Sequence, residues 1–287
     1  MSKNKPEEAE QKKPANPLRK LVPIGPKLSF GASEAYKLLR ANLLFSANSE
    51  NRCQIIGVTS SIRGEGKTTT SMNLAYTFAE AGKRVLLVDG DMRLPQIAKT
   101  LNLYRRPGLS NYLAGMTEGK APIQPSALHD NLYVISSGDV PPNPSELLGS
   151  NASKQAFDTL RRLYDYIFID LPPVNIVSDA LVLSNICDGF LVVVRQDYTS
   201  RSEIDSCVEQ LNYVKAKLLG FVMTHSTTGE KGMYKGKRYY RHYGSKYSRY
   251  GKGYGYGYGY GYGYGYGYDR AHSEAANAPQ QEPAEKS

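Results

Sequence analysis

Thr59-Ser-Ser-Ile-Arg-Gly64-Glu-Gly66-Lys67-Thr68-Thr69 follows the apolar run Cys53-Gln-Ile-Ile-Gly-Val-Thr59 and opens a helical pattern from Thr69 to Ala81, so it reads as strand, loop, helix. Glycines in such a loop let successive amide N–H groups turn towards phosphate oxygens, and the helix N-terminus adds its partial positive charge. Lys67 would reach the terminal phosphates and the Thr68 hydroxyl would face Mg²⁺. The fit to G-x-x-x-x-G-K-[ST] has one departure, Ser61 in place of the first glycine. Ser61, Gly64, Glu65, Gly66, Lys67, Thr68 and Thr69 are the candidate nucleotide contacts. A glycine turn with a solvated lysine would look the same over these residues, and two acidic strand ends downstream decide against it.

The first is Arg84-Val-Leu-Leu-Val88, a buried strand ending in Asp89-Gly90-Asp91-Met92-Arg93. The second is Tyr166-Ile-Phe-Ile169, ending in Asp170-Leu-Pro-Pro173. Ligands of parallel α/β sheets bind beyond the carboxyl ends of the strands, so both acidic ends are expected beside the loop. Further strand-like runs are Leu132–Ile135, Gly189–Val194 and Leu218–Met223, separated by helical stretches that include Ser145–Leu163 and Ser200–Val214. Apolar strands alternating with helices predict an α/β P-loop NTPase fold, a mostly parallel sheet covered on both faces. Before the loop, Ser33–Phe45 reads as an amphipathic helix with Ser33 as N-cap and Glu34, Lys37 and Arg40 along one face.

The 287 residues, 40% of them hydrophobic, suffice for one sizeable domain plus tails. Residues 1–28 are polar and rich in Lys, Glu and Pro, as in a disordered leader, with Leu21-Val-Pro-Ile24 able to dock as a short extended arm. Residues 29–228 form the expected catalytic domain. From residue 229 the composition changes to a basic, tyrosine-rich stretch, then alternating Gly and Tyr from Gly253 to Tyr268, which predicts a flexible tail. The net charge of +9 sits at the ends: +4 in residues 1–28 and +8 in residues 231–252, against −1 in residues 29–230. Attraction to anionic surfaces must therefore come from the termini. Cys53, Cys187 and Cys207 lack metal-ligand spacing and read as reduced core thiols. The longest apolar runs fall short of the ~20 residues of a membrane span, and the start Met-Ser-Lys-Asn-Lys-Pro has no apolar core, so a cytoplasmic chain is expected.

Ser60–Thr69, Val88-Asp-Gly-Asp-Met-Arg93, Ile169-Asp-Leu-Pro-Pro173 and a tyrosine-rich C-terminus, in that order, make the chain resemble the bacterial tyrosine kinases. These are P-loop proteins of capsule and exopolysaccharide synthesis, unrelated in fold to eukaryotic protein kinases. The resemblance covers residues 30–268. It implies that Asp89-x-Asp91-x-Arg93 is a Walker A′ motif and Asp170 the Walker B aspartate, with Lys67, Asp89, Asp91 and Asp170 serving catalysis. ATP would be the cofactor, and Thr68, Asp89 and Asp170 would hold Mg²⁺. A tyrosine hydroxyl, with pKa near 10, is a poor nucleophile at neutral pH and wants a carboxylate to take or orient its proton.

The acceptors implied are Tyr234, Tyr239, Tyr240, Tyr243, Tyr247, Tyr250, Tyr254, Tyr256, Tyr258, Tyr260, Tyr262, Tyr264, Tyr266 and Tyr268, fourteen of the chain's 23 tyrosines in 35 residues. The resemblance implies phosphorylation between subunits of a homo-oligomeric ring. Glu34, Lys37 and Arg40 lie where the family has its Glu-x-x-Arg-x-x-Arg assembly motif, and Lys37 departs from it by losing bidentate geometry. It also implies a separate transmembrane activator, or polysaccharide co-polymerase, that holds the kinase at the inner face of the membrane, together with a phosphotyrosine phosphatase and further tyrosine-phosphorylated substrates. Thr224 stands where the family places an asparagine near the nucleotide base.

Two other classes fit less of the chain. A partitioning-type ATPase switch shares the sheet and the aspartate motifs but carries a second lysine five residues before the loop lysine, where this chain has Ile62. A nucleic-acid-binding module would use the interleaved basic and aromatic residues of the tail, yet leaves the loop and carboxylates without a task. Adhesion or phase separation of the Gly/Tyr tract accounts for the tail alone.

Each phosphate adds about −1.5 to −2 charge, so about five cancel the +8 of residues 231–252 and more reverse it. Exhaustive phosphorylation is expected to shift oligomer size and lipid binding in low salt, as sizing chromatography and vesicle flotation would show. Unchanged behaviour in both would rule out such a switch.

Overall fold

The computed structural model describes residues 23–46 and 53–226. The fourteen candidate acceptor tyrosines, residues 1–22 of the leader and the whole tail from residue 229 lie outside them. Seven strands form one sheet in the order β3-β4-β2-β5-β1-β6-β7. They are β1 (Gln54–Ser60), β2 (Val85–Asp89), β3 (Ile123–Pro125), β4 (Leu132–Ile135), β5 (Tyr166–Asp170), β6 (Gly189–Arg195) and β7 (Leu218–Thr224). Every pairing is parallel except β3 with β4, which lies at one edge.

The central strands are apolar almost throughout because both of their faces are covered. On one face, Ile56, Val58, Leu87 and Phe168 pack against Met72, Ala75, Phe78 and Ala79 of α2 (Lys67–Glu80), with Leu43 of α1 (Phe30–Ser46) behind. The Phe78 ring lies 4.4 Å from Tyr166 and 5.2 Å from Phe168, centroid to centroid. On the other face, Ile55, Leu86, Val88, Ile167 and Ile169 pack with Phe157 and Leu160 of α6 (Asn151–Leu160) and with Cys207 and Leu211 of α8 (Arg201–Tyr213). Cys53 and Cys207 are buried and all three cysteines are free thiols. Among the described residues no helix is long and apolar enough to cross a membrane.

The structure corrects several expectations. Helix α1 begins at Phe30 and not at Ser33, because the Ser29 hydroxyl accepts the Ala32 N–H at 3.3 Å and the Ser29 carbonyl accepts that of Ser33. The helix expected over Ser145–Leu163 is broken into α5 (Pro144–Leu148) and α6. Ser150 makes the break: its hydroxyl donates to the Leu147 carbonyl and accepts the Ser153 N–H, closing one helix and capping the next. Of the arm expected at Leu21–Ile24, Leu21 and Val22 lie outside the described residues, and Ile24 is extended and buried as expected; a 3₁₀ turn over Gly25–Lys27 follows it, and the Gly25 N–H donates to Asn73 Oδ1 on α2. Three short helices, α3 (Ile97–Leu101), α4 (Leu109–Leu113) and α7 (Asp179–Val182), and the edge strand β3 carry too few residues for a periodicity to be read.

Gly57 in the middle of β1 faces the buried Phe190 ring, and a Cβ there would lie 2.7 Å from it. Gly57→Ala is expected to lower unfolding stability by about 1–3 kcal/mol in urea titrations of the full chain, the usual cost of overpacking. An unchanged midpoint would show that the Phe190 ring gives way freely.

Candidate functional site

Register places the acidic strand ends side by side. Asp89 of β2 pairs with Asp170 of β5, and Asp170 pairs with Val58 of β1, two residues before the loop begins. Gly90 donates its N–H to the Asp170 carbonyl at 2.9 Å, and a Cβ at Gly90 would lie 2.9 Å from that same oxygen, so only glycine lets the two strand ends approach this closely. The Asp170 end is tied to the loop from behind: the Thr59 hydroxyl donates to the Pro172 carbonyl, and the Val174 N–H to the Ser60 carbonyl.

The loop curls through two left-handed glycines, Gly64 at φ 84° and Gly66 at φ 94°. Gly66 is the residue before α2, so the lysine at the first helical position turns into the space above the strand ends. Lys67 Nζ donates to Asp91 Oδ2 at 2.8 Å and lies 3.8 Å from Asp170 Oδ2. The Thr68 hydroxyl donates to Asp170 Oδ2 at 2.7 Å, and the Ser71 hydroxyl lies 3.1 Å from Asp170 Oδ1. Thr69 follows on the same first turn. Lys67, Thr68, Asp89, Asp91 and Asp170 thus meet at one point.

Burial dominates the electrostatics. Asp89 is pushed up to about 8, first by desolvation and then by the neighbouring Asp170; its Oδ2 accepts the Ile97 N–H, while its buried Oδ1 has no partner among the described residues. Burial also raises Asp170, although Lys67 and the Thr68 and Ser71 hydroxyls pull it back. For Lys67 desolvation works downwards, but the fields of Asp170 and Asp91 outweigh it and the net direction is up. The cluster is a set of hard oxygen donors with an unpartnered carboxylate oxygen, a donor set that suits Mg²⁺ held by one or two carboxylates together with phosphates.

Other candidates point elsewhere. Glu65 is wholly buried, with its carboxylate turned away from Lys67 to accept the Ile62 N–H and the Thr199 hydroxyl. Ser61 is also wholly buried. Arg93 makes a two-pronged contact with the buried Asp179 of α7, both distances 3.0 Å, and reaches Ser145 of α5. On α1, Lys37 pairs with Glu34 at 2.9 Å and Arg40 donates to the Thr77 carbonyl of α2. Thr224 donates to the Glu65 carbonyl at 2.7 Å. Sequence reading missed Ser71, which shares a helix face with Lys67 at a spacing of four, and it missed Ser145, Asp179 and Thr199, which act across 34 to 134 residues and leave no local pattern.

A parallel sheet with a phosphate loop after β1 and carboxylates ending β2 and β5 defines a P-loop nucleotide-binding protein. A family profile described as an AAA domain matches residues 53–221. The tyrosine-protein kinase YwqD of Bacillus subtilis is 35% identical over 219 residues, covering 76% of this chain and 86% of that one. Among solved structures, the chimerical protein CapA2B2 is similar at TM-score 0.63 and 37% identity, over 66% of this chain and 83% of its own. The kinase domain of the Escherichia coli tyrosine kinase ETK is similar at TM-score 0.62 and 30% identity, over 70% and 79%. The chain belongs to the bacterial tyrosine kinase family.

The raised Asp89 carries a stability consequence. Its unfolded value is 3.8 and its folded value about 8, so between these the folded chain holds a proton that the unfolded chain has lost, and stability falls as pH rises. Asp89→Asn is therefore expected to melt above the wild type at pH 8 without nucleotide, with the gap closing towards pH 4 in thermal scans. A gap that does not change with pH would contradict the shift.

Proposed function

We propose that the chain transfers the γ-phosphoryl group of ATP to the tyrosines of residues 234–268 on a neighbouring copy, as an autophosphorylating tyrosine kinase. The observation that carries this is the convergence of Lys67, Asp89, Asp91 and Asp170 at the carboxyl edge of the sheet, in a chain that crowds fourteen tyrosines into 35 residues. In this reading the loop amides and Lys67 bind the phosphates. Thr68 and Asp170, with Asp89, would hold Mg²⁺, which when bound offsets charge on the phosphates. Asp89 accepts or orients the proton of the incoming hydroxyl, and its raised pKa brings it close to the range a general base needs. Asp91 holds Lys67 in place. The kinase works with a separate transmembrane activator at the inner face of the membrane, assembles as a ring through Glu34, Lys37 and Arg40, is reset by a phosphotyrosine phosphatase, acts on further substrates, and regulates capsular or exopolysaccharide synthesis and export. The domain bounds are those of the sequence reading, residues 29–228 for the kinase and 229–287 for the tail.

The test mixes two full-length chains with labelled ATP and Mg²⁺, with and without a candidate activator tail. One carries Lys67→Met, and the other has intact catalytic residues but phenylalanine at the fourteen tail tyrosines. Phosphotyrosine on the Lys67→Met chain only in the mixture supports transfer between copies. ATP hydrolysis with no protein-bound phosphate, even with a competent activator, overturns the proposal in favour of an ATPase switch.

A further inference from the structure

The phosphate loop lacks its first glycine, yet it contains a wholly buried carboxylate, an unusual choice beside a site for polyanions. A buried charge is costly unless its oxygens are satisfied, and both oxygens of Glu65 are. Oε2 accepts the Ile62 N–H at 2.7 Å, bridging the loop across three residues. Oε1 accepts the hydroxyl of Thr199 in the turn between β6 and α8. The same hydroxyl accepts the Arg195 N–H at 3.3 Å, so a continuous chain of donors runs from the end of β6 into the loop. The loop backbone is gripped from this side twice more. Thr224, the register partner of Arg195 at the end of β7, donates to the Glu65 carbonyl, and Arg195 Nη1 reaches the Gly64 carbonyl at 3.4 Å. The guanidinium of Arg195 also lies 4.8 Å from the centre of the Tyr198 ring.

We infer that Glu65 and Thr199 are positioning residues for the nucleotide: their hydrogen-bonded bridge holds the curl between Ile62 and Gly66 that aims the loop amides and Lys67 at the phosphates. The inference rests on the nucleotide-site reading above and deepens it. Neither side chain needs to touch ATP. The bridge stands in for the missing glycine by fixing the loop from its buried side, and it anchors the loop to strands β6 and β7, which carry no catalytic carboxylate.

Thr199→Val is isosteric and removes only the hydroxyl, whereas Thr199→Ser keeps it. In the full chain, Thr199→Val is expected to weaken binding of a fluorescent ATP analogue about tenfold, the worth of one hydrogen bond to a charged group, and to raise the KM for ATP by a similar factor. For Thr199→Val the kcat and the KM for a tyrosine peptide should stay near wild type, Thr199→Ser should bind within about twofold of wild type, and the double variant Thr199→Val with Glu65→Gln should lose less than the sum of the two single losses. Equal affinity in wild type, Thr199→Val and Thr199→Ser overturns the bridge while leaving the nucleotide site standing. Equal loss in both Thr199 variants, or a loss that tracks lowered melting temperature, also overturns it. A wild-type chain that binds no nucleotide brings down the site reading and the bridge together.

Discussion

Two carboxylates forced into register, Asp89 on β2 and Asp170 on β5, are the constraint around which the rest of the molecule is arranged. Neighbouring parallel strands put them side by side at a dry edge, where burial raises both and the charge of Asp170 adds to the rise at Asp89. Lys67 relieves the repulsion from above, and α2 begins where that lysine is needed. Carboxylates poorly balanced without ligand are what a bound cation would satisfy, which links the cost at the strand ends to the proposed task of the site.

The sheet serves that edge. Six of its strands run parallel in the unbroken order β4-β2-β5-β1-β6-β7, which delivers the turns after β2, β5, β1 and β6 to one side of the sheet as neighbours. The glycines at 57 and 90 permit the close approaches this requires, one against the Phe190 ring and one against the Asp170 carbonyl. Arg93, bound by Asp179 and Ser145, fastens the strand end of β2 to α5 and α7, so the position of Asp91 is set by contacts on both sides of it.

Much of this could be read in the sequence. The loop, the two acidic strand ends and six of the seven strands announce themselves because a buried parallel strand is a continuous apolar run and the loop has a motif with fixed spacing. The interruption of the helix at Ser150 leaves no mark on the amphipathic periodicity, and here the hydroxyl settles the matter through two hydrogen bonds. The early start of α1 at Phe30 depends in the same way on one hydroxyl, that of Ser29. Within the site, the motif residues Lys67, Thr68, Asp89, Asp91 and Asp170 are legible, whereas Asp179 and Thr199 acquire meaning only once 86 and 134 residues of chain have folded between each and its partner. Glu65 shows the opposite limit: motif position places it in the loop, but the inward turn of its side chain, onto Ile62 and Thr199, has no signature in the sequence.

Strand β7 lies at the sheet margin, and its last residue, Thr224, is fastened to the loop by a single hydroxyl. One side chain thus joins the margin of the sheet to the lysine-bearing turn, so the edge strand's end and the curl of the loop keep a common position while that hydrogen bond lasts.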